Sequence, residues 1–100
     1  MKIVILPSAS ADLEDGFHFY ENQDAGLGSY FLESLFSDVD SLQLYAGIHR
    51  KVFGNHRSIS KRFPYAIYYD YAVESQTIFV KAILDCRRDP KFHRERLHGG

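Results

Sequence analysis

The residues of this chain best suited to chemistry fall in its last third. Arg87 and Arg88 stand side by side behind an apolar run, Pro90 constrains the backbone just after them, and Lys91 and His93 follow. Guanidinium groups at the end of a strand offer planar, permanently charged donors that suit phosphate or carboxylate. The imidazole of His93, with an ordinary pKa of about 6.5, could act as base or acid. No carboxylate is placed by spacing to orient it, so His93 reads first as a surface histidine of a basic tail. Arg57 and Lys61 carry the same basic character upstream. With Arg87, Arg88 and Lys91 they form the candidate target-binding set. Tyr65, Tyr68, Tyr69 and Tyr71 could stack bases or line a groove, but tyrosines in strands usually supply core area with the hydroxyl at the rim. Tyr68 shares a face with Ala66 and Asp70 and is the one expected to line a groove.

Other chemistries lack their residues. Cys86 is the only cysteine, which leaves no internal disulfide and no cysteine-based metal site, and points to a reducing cytoplasm. Beside Arg87 its thiol has a cationic neighbour, yet nothing resembles a catalytic Cys-His pair, and an inert thiol is expected. His18, His49, His56 and His98 are too scattered to propose a metal, and no Ser-His-Asp arrangement is legible. Gly26-Leu27-Gly28 follows a helical pattern and lacks the lysine of a phosphate loop. No cofactor is expected. The apolar run Ile3 to Leu6 is far shorter than a signal-peptide core or a membrane span, so a soluble protein without membrane contact is expected.

The elements that must position these residues belong to one domain, because 100 residues with 45% hydrophobic side chains support a single core. Its extent is read as residues 1–97, with 98–100 a frayed tail. Charge is divided unevenly along it. Up to His49 one basic residue faces eight acidic ones, a net of −7, and from Arg50 onward eleven basic residues face five acidic ones, a net of +6. The second part therefore suits an anionic partner, nucleic acid or an acidic protein segment, or it is simply a solvated face.

Lys2 to Leu6, β-branched and stopped by Pro7, read as a strand. Ser8 or Ser10 then caps a helix with Asp12, Glu14 and Asp15 in its first turn and Leu13, Phe17 and Tyr20 on its apolar face. After turn chemistry at Asn22 to Gly28, Leu27, Phe31, Leu35, Val39 and Leu42 make a continuous stripe on a second helix. A period of two replaces the helical one after Gly47. Arg57 to Lys61 is a strand; Phe63 to Val73 is another, with Tyr65, Ile67, Tyr69 and Tyr71 on one face; Thr77 to Asp85 is a third, with Ile78, Val80, Ala82 and Leu84 on one face. Asp89 and Pro90 end it. The expected fold class is α+β: an N-terminal strand, an α-helical hairpin, then an antiparallel three-stranded meander.

The stretch Arg62 to Arg94 carries a family likeness. Its Phe-Pro-Tyr strand, Ile-Tyr-Tyr continuation, hairpin, Val-x-Ala-Ile-Leu strand and closing Arg-Arg-Asp-Pro resemble the ParE branch of the RelE/ParE toxin superfamily. So do Ser8, Ala11-Asp12-Leu13, Tyr20 and Gly28-x-x-Phe31 upstream. The resemblance implies a small cytoplasmic toxin of a type II toxin-antitoxin, plasmid stabilisation-like system, bound by a cognate antitoxin and directed at DNA gyrase. The RelE branch would instead imply an endoribonuclease acting on mRNA in the ribosome. Its pattern places an arginine after the central-strand tyrosine, where this chain has Ala66. Arg87 matches its second arginine, and His93 stands where it has a tyrosine. Under that alternative Arg87 and His93 would be catalytic. Losing one phosphate clamp typically costs on the order of 100-fold or more in rate, so the ParE branch is preferred and no catalytic residue is assigned with it. A non-toxic binding module of the same fold is the third reading.

Overall fold

Pro7 ends the first strand and also starts the first helix. In the computed structural model, which describes residues 1–98, β1 spans Lys2–Ile5 and α1 spans Pro7–Glu21, with proline in the first helical turn. There its fixed φ fits and its missing N–H is no loss. The expected serine cap is absent: the residue before the helix is Leu6, without a side-chain cap, and the first turn holds no acid. Ser8 lies inside the helix and its hydroxyl donates instead to the Lys81 carbonyl at 2.8 Å.

The next helix, α2, spans Leu27–Tyr45 and buries Phe31, Leu35, Val39 and Leu42 as the stripe required. Its N-terminus is closed by the last residue of α1: the Glu21 carboxylate accepts the Gly26 N–H at 3.0 Å and the Gly28 N–H at 2.9 Å. This satisfies two otherwise unpaired donors and opposes the helix dipole. The two helices approach so closely that only glycine fits at the contacts. A Cβ on Gly28 would lie 2.7 Å from the Phe17 carbonyl oxygen, and one on Gly16 would lie 2.5 Å from the Phe31 ring.

One five-stranded sheet carries the hairpin. Its strands are β1, β2 at Lys51–Val52, β3 at Asn55–Ile59, β4 at Tyr65–Ala72 and β5 at Thr77–Asp85, in the order β1-β5-β4-β3-β2. β1 runs parallel to β5, and the other neighbours are antiparallel. The short edge strand β2 is an addition to the expected meander, and β3 begins two residues earlier than its alternation indicated, because its first residues pair with β2. Tyr65, Ile67 and Tyr69 face the helices and join Phe31, Leu35 and Leu42 in the main core.

A bulge corrects the reading of β5. Tyr68 pairs with Ala82 and Tyr69 with Val80, so Lys81 is skipped. The face changes there: Ile78, Val80 and Ile83 belong to the main core, while Ala82 and Leu84 join Ala66 and Tyr68 in a smaller core on the opposite face. A strict period of two puts all four predicted residues on one side; one extra residue breaks that count.

The smaller core is covered by a helix the sequence reading lacked. Asp89 and Pro90 do end β5, but they also begin α3, Pro90–His98. Asp89 acts as the cap, its carboxylate accepting the Lys91 N–H at 2.9 Å, and Pro90 occupies the first turn. Phe92 and Leu97 pack on the smaller core. His98, expected in the tail, is the last residue of α3; the remainder of that tail lies outside the described residues. Asp12, buried in α1, joins these parts. Its Oδ2 accepts the Ile83 N–H at 3.0 Å, and Arg96 of α3 donates to both its oxygens at 2.7 and 2.9 Å.

At the other end of the sheet, Tyr69 anchors the chain between α2 and β2. Its hydroxyl accepts the Gly47 N–H at 3.1 Å and meets His49 Nδ1 at 2.5 Å, while His56 stacks on its ring and donates from Nδ1 to the His49 carbonyl at 2.6 Å.

Replacing Asp12 by alanine leaves Ile83 N–H unpaired and Arg96 without its counter-ion, a loss of about 3–5 kcal/mol. Glu33→Ala on the exposed side of α2 changes stability by less than about 0.5 kcal/mol; urea denaturation compares the two. The His49 pKa is lowered, first by burial and second by His56. The unfolded chain therefore takes up the proton first. Its contribution to stability is complete above about pH 6.5 and is lost as pH falls through the depressed folded value. Melting curves from about pH 8 to about pH 5 show this loss in the parent and a shallower one in His49→Asn.

Candidate functional site

The sequence-predicted site residues separate into a buried group under α3 and exposed cations around it. His93 belongs to the first and is not the surface histidine expected. It is only 3% exposed. Its Nε2 lies 2.8 Å from the Asp85 carbonyl, which can only accept, so Nε2 carries the proton. Nδ1 then accepts from the Tyr68 hydroxyl at 2.8 Å. Both ring nitrogens are engaged in hydrogen bonds within the fold.

Tyr68 is likewise buried, with its ring against a small pocket rather than on an open surface. It is 1% exposed, its hydroxyl is used by His93, and burial raises its pKa, against a smaller lowering by Arg57. The sequence pattern placed it on the face away from the main core, which is correct; α3, absent from that reading, covers the face.

Arg87 leaves the end of β5 and turns back onto Asp85. Its Nε and Nη2 donate to the two carboxylate oxygens at 2.9 and 2.7 Å, and its backbone N–H adds a third bond at 2.8 Å. The hydrogen bonds from Arg87 hold the Asp85 carboxyl below its usual range and keep the guanidinium charged. Burial pushes Tyr65, nearby, up to about 12. Arg87 therefore locks the end of the last strand as well as presenting charge.

Arg88 is exposed and lies over the Phe92 ring, 3.8 Å from its centre, a cation–π contact that steadies a surface guanidinium. It borders two concavities that share α3 as a wall. One is a groove of about 340 Å³ with Asp15, Phe19, Tyr65, Phe92 and Arg96 around it. The other is a pocket of about 100 Å³ lined by Arg57, Tyr68, Cys86 and His93 among others. Arg57, Tyr68, Arg88 and His93, far apart in sequence, meet there. Lys61, Arg87 and Lys91 do not line it. Lys61 follows β3, where its backbone N–H and the Ser60 hydroxyl bind Asp38 of α2 at 3.2 and 2.6 Å. Lys91 is exposed in the first turn of α3.

Sequence reasoning missed a third concavity, a largely apolar groove of about 390 Å³ on the helical hairpin, walled by Leu13, Phe17, Leu32 and Phe36 with Ser10, Glu14 and His18 around it. Its signal was present in α2, where Leu32 and Phe36 stand one position beyond Phe31 and Leu35 and widen the apolar stripe past what one core contact uses. Among the described residues no cluster of three or more histidine, cysteine or acidic side chains is arranged to hold a metal, and no helix is long and apolar enough to cross a membrane.

Tyr68→Phe leaves the Nδ1 acceptor of His93 buried and unpaired, and lowers unfolding free energy by about 1–3 kcal/mol, read by chemical denaturation.

Three comparisons bear on identity. Residues 3–90 match the family model described as the ParE toxin of the type II toxin-antitoxin system, parDE. A comparison with curated proteins finds no match. Among solved structures, a chain of the chromosomal ParDE toxin-antitoxin system from P. aeruginosa superposes with a TM-score of 0.70 at 19% identity, covering 83% of this chain and 92% of that one. The strand, helical hairpin and single sheet are the fold of that neighbour. With a family model spanning nearly its whole length and a shared fold, the chain belongs to the ParE toxin family of type II toxin-antitoxin systems.

Proposed function

We propose that this chain inhibits growth by acting on DNA gyrase, that a cognate antitoxin neutralises it in the cytoplasm, and that the pair serves a plasmid stabilisation-like role. The observation that carries the choice of target is the state of His93. An endoribonuclease needs a group to activate the ribose hydroxyl, a charge on the scissile phosphate and an acid for the leaving oxygen. Here the histidine in the matching position is buried with both nitrogens engaged, and the position of the first arginine is Ala66, fully buried beneath α3. This favours a toxin that binds and poisons over one that cleaves, and assigns no enzymatic activity to the chain.

The antitoxin reading rests on family membership and on the apolar groove of the hairpin. An amphipathic segment that orders on binding would seat apolar side chains between Leu13, Phe17, Leu32 and Phe36. Acidic residues of the same partner would be drawn to the basic second half of the chain.

Induced expression with pulse labelling tests the target. The expected outcome is filamentation and a DNA-damage response before translation falls, with purified protein inhibiting gyrase supercoiling. Arg88→Gln weakens both effects gradually, as loss of a binding contact does, and His93→Gln leaves them in proportion to the folded protein. Early translational arrest with mRNA cleavage and unimpaired supercoiling overturns the gyrase reading. Co-expression with the product of the adjacent reading frame restores growth and yields a co-purifying complex.

A further inference from the structure

Arg96 and Arg87 show how this fold treats its structural arginines: each holds both oxygens of a carboxylate, Asp12 and Asp85 respectively. Arg57 is treated differently. It is part-buried on β3, and among the described residues it makes no ion pair. Its Nη2 reaches Cys86 Sγ, 3.9 Å away, its guanidinium carbon lies over the Tyr68 ring, 6.0 Å from its centre, and its Nε is closed off from water with no acceptor. A guanidinium with one nitrogen closed off from water and no counter-ion is costly, because charges withdrawn from water are ordinarily paired. An anion that the chain itself does not supply would complete this arrangement.

The surroundings describe that anion. Arg57 lines the pocket of about 100 Å³, together with Arg88 and the apolar or ring surfaces of Val52, Phe53, Tyr68 and Pro90, and no carboxylate takes part. The pocket has room for one tetrahedral oxyanion beside the two guanidiniums. Two arginines around so small a space fit a phosphate better than a single carboxylate, because its oxygens can accept from both guanidiniums. The apolar walls lower the local dielectric and strengthen the attraction.

We propose that Arg57 and Arg88 form a binding pocket for a single phosphate group, on the sheet face opposite the helical hairpin. Arg57 supplies the semi-buried charge and Arg88 the exposed one at the entrance. The pocket holds this group without cleaving it, since the Tyr68 hydroxyl and both His93 nitrogens are already committed. The inference goes beyond the toxin reading and does not need it. Phosphate binding is measured on the purified chain and growth arrest in cells, so either can fail alone.

The test is thermal melting and titration calorimetry of the full chain with inorganic phosphate, and separately with a thymidine dinucleotide carrying one phosphodiester, against chloride at equal ionic strength. The expected result is a saturable rise in melting temperature with at least one of them. A response to inorganic phosphate identifies a site for the free ion. A response to the dinucleotide alone identifies one for a nucleic-acid strand. Arg57→Met abolishes the rise, and in chloride it melts no lower than the parent, because an uncompensated charge has been removed. Arg88→Met, at an exposed position that leaves the fold intact, weakens binding about tenfold, the loss of one charge-assisted contact. No saturable response to either ligand overturns the proposal. So does a response that persists in Arg57→Met, or parental affinity in Arg88→Met.

Discussion

Where β1 stops, the outer edge of β5 still has backbone to satisfy, and the carboxylate of Asp12 takes over that task. β1 pairs with β5 only as far as Val80, the bulge at Lys81 follows, and the Ile83 N–H beyond it would be buried against α1 with no strand to accept it. Asp12 accepts it, while Ser8 takes the Lys81 carbonyl one turn earlier. A buried carboxylate in turn needs a cation, and Arg96 supplies one from α3. One side chain thus fixes the helix above the sheet, the register beyond the bulge and the helix below it. Without Arg96 held in place, α3 would rest on the apolar contacts of Phe92 and Leu97 and on the hydrogen bonds of His93.

That arrangement also sets the state of the residues on this face. Once α3 is pinned, His93 is carried inward onto Tyr68 and the Asp85 carbonyl, and its proton is fixed on Nε2. Arg87, Arg88 and Lys91 remain outside, just beyond the end of the last strand. Their acidic counterparts lie mostly on the helical hairpin, so the polarity of the sequence becomes a polarity between helices and sheet end. Fields of this kind steer and orient an anionic partner more than they stabilise a fold.

Membership in the ParE toxin family agrees with a domain whose concave surfaces are distributed over separate faces. The apolar groove lies on the hairpin, whereas the arginine-lined pocket lies on the opposite side of the sheet. The close glycine contacts at Gly16 and Gly28 bring the two helices of the hairpin together beside the first groove.

Much of the fold was legible in the sequence because it is written in short-range periodicity. The stripe Phe31, Leu35, Val39 and Leu42 and the alternation Tyr65, Ile67 and Tyr69 each specify a buried face without reference to any distant residue, and Pro7 marks a boundary by its own geometry. Three features escaped for a common reason. The bulge at Lys81 depends on what α1 offers at Ser8 and Asp12. The helix Pro90–His98 has little apolar surface of its own and is held by Arg96 reaching a residue 84 positions away. The burial of His93 follows from that helix. Local pattern reports which residues prefer to be inside, and it does so through spacing. Which polar groups satisfy one another is a long-range matter, decided when the chain closes on itself, and in this protein those long-range polar pairs determine which of the candidate site residues remain free to meet a partner.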